Sequence, residues 1–153
     1  MRLEDDGFAV LQADDQRWRE SSIMKIPNAN LLHDLGGDEH IGGRLWRLPA
    51  FSANTWHKHV DSYELYFLLE GRGRMRVGDT TVSVSRYGSV LVAPGTLRQV
   101  FNDSDEDALW LIVSAPQEDA ATFKRDASLF YPEDPKSLPV ELAGRVWPPT
   151  RSR

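Results

Sequence analysis

The 153 residues contain no cysteine. Disulfides, thiolate metal sites and thiol nucleophiles are excluded together, which leaves histidine and carboxylate side chains as the candidate metal ligands. No apolar run reaches the 18 residues that a membrane-spanning helix needs. The opening MRLEDDGFAVLQADDQRWRE carries acids where a secretory leader needs a basic start and a long apolar stretch, so a cytoplasmic, soluble protein is expected. Basic charge is short as well: Lys and Arg total 18 against 23 Asp and Glu, a formal net charge of -5. Such a chain sets up no broad positive field, and neither nucleic acid nor a membrane is expected as a partner.

Sustained amphipathic helices are also missing between the apolar segments. The chain offers instead a series of short stretches, among them RLWRLPAF, ELYFLLEG, GRMRVGDTTVSVS, GSVLVAPG, RQVFN and ALWLIVSAP, each rich in β-branched or aromatic residues and bounded by Gly, Asp, Asn or Pro. This predicts an all-β fold, an antiparallel sandwich or barrel, and argues against βαβ units. In RMRVGDTTVSV, the GDT between Val77 and Val82 predicts a hairpin. The length suits one core. Residues 1–24 are expected as an arm or a short added strand, residues 25–116 as the barrel, and residues 117–153 as a C-terminal extension. In that extension QEDAATFKRDASLF reads as one or two helical turns, and the rest is a proline-rich tail. Phe130, Tyr131 and Trp147 are apolar enough to dock on the domain or on a second subunit.

The segment WHKHVDSYELYFLLEG carries the chemistry. In a strand, His57 and His59 project from one face and Lys58 from the other. Four residues then separate His59 from Glu64, enough for a turn and a returning strand on which Tyr66 and Leu68 share the face of Glu64. Two histidines by themselves are not a site. With Glu64 they form a two-histidine, one-carboxylate set of the kind that binds transition metals.

The spacing resembles the first motif of the cupin superfamily, in which HxH is followed after three or four residues by Glu and after six more by Gly: His57, His59, Glu64 and Gly71 fit. The leading glycine of that motif falls at Phe51. The second motif ends in Pro, Gly, two residues, His, three residues, Asn, and here Pro94, Gly95, Arg98 and Asn102 stand at those places. Its opening glycine is displaced to Gly88, with Tyr87 at the expected position, and Ala93 replaces its first proline. The resemblance implies a jelly-roll barrel (double-stranded β-helix) with irregular N- and C-terminal extensions. It also implies a homodimer and a divalent transition metal such as Fe, Mn, Ni or Zn, which cupins often hold through three histidines and a glutamate.

Arg98 stands where the fourth ligand belongs. A guanidinium has no lone pair and stays protonated, so it cannot coordinate a cation. Two arrangements are open. In one, His57, His59 and Glu64 hold the ion alone, and Arg98 grips an anionic substrate. In the other, Arg98 pairs with Glu64 and no metal is bound. A divalent ion about 5 Å from a guanidinium is repelled by about 6 kcal/mol at an effective dielectric near 20, which ligand bonds can exceed.

The first arrangement implies an enzyme oxidising or isomerising a small, anionic organic molecule, with Tyr66 as a substrate contact and catalytic proton donor or acceptor. The alternative is a non-catalytic binding module or sensor for a sugar or small acid. Trp46, Trp56 and Trp110 read as core packing that could also line a pocket. His33 and His40 read as surface residues, and DSDEDA as a solvated loop.

Overall fold

The structure, a computed structural model, describes residues 3–118 and 126–150. The strands among them are β1 (Trp18–Glu20), β2 (Pro27–Asn30), β3 (Gly42–Leu48), β4 (Ser52–Ala53), β5 (Tyr63–Glu70), β6 (Gly73–Val77), β7 (Thr80–Val84), β8 (Ser89–Val92), β9 (Arg98–Asn102) and β10 (Ala108–Ala115). They form a six-stranded sheet in the order β1-β2-β3-β10-β5-β8 and a four-stranded sheet in the order β4-β9-β6-β7. Every pairing is antiparallel. The α-helices among the described residues, α1 (Leu3–Asp6) and α2 (Leu31–Leu35), are little more than single turns. The all-β jelly roll expected from the sequence is the architecture found.

Alternation in β5 sets the orientation of the site. Glu64, Tyr66 and Leu68 are buried, whereas Leu65 is exposed and Phe67 and Leu69 are half-buried. One face therefore looks into the barrel and the other outward. In register with it, Tyr66 faces Ile112 and Leu68 faces Trp110 on β10, and Trp110 in turn faces Trp46 on β3. Leu48, Leu68, Trp110 and Ile112 from the larger sheet join Met75 and Val100 from the smaller one in a single buried cluster. Each of these side chains contributes about 1.5–3 kcal/mol on leaving water.

The turns show which motif positions are bound by backbone conformation. Gly71 has φ 80°, and a Cβ there would lie 2.3 Å from the carbonyl oxygen of Asp107, so only glycine fits. Phe51 and Tyr87, which stand where the cupin pattern has glycines, take φ 55° and 69°. The left-handed backbone survives there without the glycine, at a cost of about 1–2 kcal/mol per residue. Phe51 lies 3.6 Å from the Arg145 guanidinium, and Tyr87, exposed on its outer side, stacks on Phe67 with ring centres 6.3 Å apart. The GDT hairpin forms with Val77 opposite Thr80 and Gly78 at φ 56°.

Both ends of the chain add to the barrel. The segment expected as an arm supplies β1, paired with β2 at the edge of the larger sheet. Residues 126–150 run against the smaller sheet, where Ser137 O accepts from Gln99 Nε2 at 2.8 Å and from Arg76 Nη2 at 3.0 Å. Leu142 is buried in the core cluster, and Trp147 Nε1 donates to Met24 O at 2.7 Å. The helical turns expected in QEDAATFKRDASLF fall largely on residues 119–125, outside the described residues; beyond them Ala127–Leu129 forms a 3-10 turn.

Candidate metal and ligand site

His57 and His59 lie on an extended stretch before β5. His57 bridges Arg98 of β9, its N–H donating to Arg98 O at 3.1 Å and its O accepting from Arg98 N at 2.8 Å. Lys58 N–H donates to Phe130 O at 2.9 Å, and His59 O accepts from Gly95 N at 2.8 Å. Those bonds hold the two imidazoles on the inner face, with ring centres 5.1 Å apart. Glu64 and Tyr66 come from β5 in the larger sheet and Arg98 from the smaller, so the site closes across the barrel.

The groups converge on one oxygen. Glu64 Oε1 accepts from Tyr66 Oη at 2.7 Å and from Arg98 Nη1 at 3.0 Å, and it lies 3.1 Å from His59 Nε2 and 3.7 Å from His57 Nε2. Burial would push the Glu64 carboxyl up, but hydrogen bonds from and the charge of His57 and His59 hold it well below the usual carboxylate range. Burial and then the Glu64 charge raise the Tyr66 phenol well above its ordinary value, so it stays protonated at neutral pH.

The residues fit a metal ion by their donor chemistry. One donor atom each from His57, His59 and Glu64 lies within 4.8 Å of the others. His57 Nδ1 is 3.0 Å from the carbonyl oxygen of Thr55, which can only accept, so Nδ1 carries a proton and Nε2 is the nitrogen turned toward Glu64. Two ring nitrogens set against one carboxylate oxygen call for positive charge among them, carried by protons or by a cation. The cation in contact with that oxygen is Arg98.

Of the two arrangements open to Arg98, the structure has the pairing with Glu64. Its side chain is 0% exposed, with Nη1 on Glu64 and Nη2 on Ala93 O at 3.0 Å, and it is not among the residues lining the pocket. The Arg98 guanidinium is thus engaged by Glu64 and Ala93 and does not stand on the pocket wall, where the expected grip on a substrate anion would place it.

A cavity of about 420 Å³ opens beside the cluster, lined by His57, His59, Glu64 and Tyr66 on one side. Arg44, Trp46 and Asn28 also line it; of these the sequence points only to Trp46, as core packing that could line a pocket. Asn28 is 1% exposed; its Oδ1 accepts from Arg44 Nη1 at 2.9 Å, and its Nδ2 donates to Arg19 O and Ile26 O at 3.1 Å each. The signal for Arg44 was its alternation with Trp46 and Leu48 in GGRLWRL, which places all three on one face. Trp110 is core, and Trp56 packs outside the pocket under Arg76, 3.9 Å away. His33 pairs with Asp38 at 2.7 Å on the surface, and His40 is exposed.

Comparison with known proteins agrees with this fold. A family model described as Cupin domain matches residues 44–114. An uncharacterized protein of Streptomyces coelicolor is 34% identical over 74 residues, covering 48% of this chain and 69% of that protein. The chain belongs to the cupin superfamily. A second relative of this cupin, an uncharacterized protein of Methanocaldococcus jannaschii, is 33% identical over 55 residues, 36% of this chain and only 44% of the relative. Among solved structures, a predicted oxalate decarboxylase of Thermotoga maritima superposes with a TM-score of 0.63 at 20% identity, covering 70% of this chain and 98% of the other. A sugar phosphate isomerase of the cupin superfamily from Silicibacter pomeroyi gives 0.62 at 20% identity, with 69% and 74% covered. At that identity the likeness is one of fold.

Proposed function

We propose that this cupin binds a divalent transition metal through His57, His59 and Glu64 and acts on a small anionic organic molecule by oxidation or isomerisation. One observation carries the reading: the Thr55 carbonyl holds a proton on His57 Nδ1, so Nε2, on the Glu64 side of the ring, is the nitrogen that would take a metal ion in place of a proton. A bound ion would supply Lewis acidity or redox capacity at the pocket wall. Glu64, held ionised, supplies the negative charge that a divalent ion needs. Arg98 and Tyr66 both donate to Oε1 and so fix the carboxylate in place. Tyr66 lines the pocket as the substrate contact and proton-transfer group of this reading; its one proton goes to Glu64 Oε1, so toward a ligand its oxygen accepts.

The anion-anchoring role passes from Arg98 to Arg44, which lines the cavity, is held by buried Asn28 and lies 5.8 Å from the Trp46 ring centre. The names of the two solved neighbours, oxalate decarboxylase and sugar phosphate isomerase, refer to small anions, which supports that ligand class. Loading the purified protein with Fe, Mn, Ni and Zn in turn and measuring bound metal tests the reading. One equivalent bound by the wild type and lost in His57→Ala is expected; no stoichiometric uptake of any of the four would end it.

A second reading has the Arg98–Glu64 pair in place of the ion, in a binding module without catalysis. The 3.0 Å contact between a fully buried guanidinium and Oε1 favours it. It predicts thermal stabilisation by small acids or sugars that is indifferent to chelator.

The homodimer and the cytoplasmic location are proposals of the same reading. On the outer face of the larger sheet Leu65 (38% exposed) stands in register with Leu91 (66% exposed), near exposed Tyr63 and Tyr87. A two-fold axis would set that apolar row against its own copy. No helix among the described residues is long and apolar enough to cross a membrane.

A further inference from the structure

Glu118 lies beyond the residues that the family model matches, and no sequence motif marks it. It is 5% exposed, and a carboxylate so buried needs donors. Two backbone amides provide them: Val60 N–H donates to Oε1, and Asp61 N–H to Oε2 at 2.9 Å. Those amides directly follow His59. Glu118 Oε1 also lies 3.6 Å from His59 Nδ1, a buried nitrogen with no hydrogen-bond partner of its own. The opposite ring nitrogen, Nε2, meets Glu64 Oε1 at 3.1 Å, and Phe130 packs edge-on against the ring with centres 5.5 Å apart.

His59 is thus set between two carboxylates, one at each nitrogen. A lone pair on Nδ1 would face the negative Glu118 oxygen and be repelled, whereas a proton there is attracted. Glu64 draws a proton to Nε2 in the same way, and a metal ion would take the place of that proton while Nδ1 keeps its own toward Glu118, which leaves Nε2, on the side of His57 and Glu64, as the ligating nitrogen.

We propose that Glu118 is a positioning residue for His59, clamping the turn at 60–61 by its two amides and orienting the imidazole so that Nε2 is the ligating nitrogen. The inference rests on the metal reading above. Its role is to hold one ligand of a site that is short of the usual fourth.

The test uses the full chain and zinc as the probe. Glu118→Gln is expected to bind zinc about 10- to 100-fold more weakly in competition with a chelator, the range found when an outer partner of a ligating histidine is removed. Glu133→Gln, which alters a carboxylate bonded to Trp56 outside the pocket, is expected to leave zinc affinity unchanged. In the zinc-loaded wild type, the His59 Nδ1 proton should resonate at low field and move upfield in Glu118→Gln. A structural loss alone would not shift that signal. Equal zinc affinity in the two proteins, or an unmoved proton, overturns the proposal.

Metal-free protein separates this inference from the metal reading. If the wild type takes up no zinc, the metal reading fails by itself, and Glu118 is judged on the side chain of His59 in the apo protein. One His59 rotamer in the wild type giving way to several in Glu118→Gln, with faster exchange of the Val60 and Asp61 amides, supports positioning; the same single rotamer in both overturns it. Should Glu118→Gln not fold, Glu118→Asp takes its place in every measurement, with the same outcomes deciding.

Discussion

At the residue scale, the site is organised around the Oε1 atom of Glu64, where Tyr66, Arg98 and His59 meet. Removing one partner of a buried pair leaves the other charge uncompensated, so Arg98→Ala is expected to lose about 3–5 kcal/mol in urea unfolding. Arg98→His should supply a third imidazole as the fourth ligand and bind zinc more tightly than the wild type. Equal or weaker binding would show that Arg98 is not standing in a ligand's place. Tyr66 gives a prediction on pH. Its phenol is raised above the ordinary value of 10.0 by burial and by Glu64, so its contribution to stability is full below that pH and is lost as pH climbs beyond it. Unfolding midpoints of the wild type should therefore fall above pH 10 more steeply than those of Tyr66→Phe. Parallel curves would contradict the burial argument.

At the element scale, the turns explain how a degraded motif still folds. The glycines missing at 51 and 87 are missing only as residues, since Phe51 and Tyr87 keep the positive φ that a glycine would take freely. Replacing Tyr87 by Ala or Gly removes the stack on Phe67 in both cases, and the two variants differ only in backbone cost. Tyr87→Gly is expected to be more stable than Tyr87→Ala by about 1 kcal/mol, the reverse of the usual order. Chemical denaturation of the pair checks it. Gly71 is the opposite case. The left-handed φ alone makes Gly71→Ala cost about 1–3 kcal/mol, and the Asp107 carbonyl leaves no room for the methyl group.

At the scale of the whole molecule, two sheets bring together what the chain keeps apart: Arg98 is 34 residues from Glu64 and in the other sheet. The C-terminal segment, which carried no motif, holds Trp56 and Lys58 on either side of His57 through Pro135 O and Phe130 O. If the outer face of the larger sheet pairs two copies, sedimentation should give a dimer for the wild type and a monomer for Leu91→Glu. A monomeric wild type removes that proposal.

The sequence by itself determined the all-β fold and the common face of Glu64 and Tyr66 on β5, because strand alternation and turn chemistry are local and are written in neighbouring residues. It also identified Arg98 as the residue that departs from the pattern. Which way Arg98 turns, that Arg44 rather than Arg98 lines the pocket, and that Glu118 reaches back across 58 positions to Val60 were decided only by tertiary structure. Each depends on distances between side chains on different strands and loops. Such distances follow from how two sheets pack, and no periodicity along the chain records them.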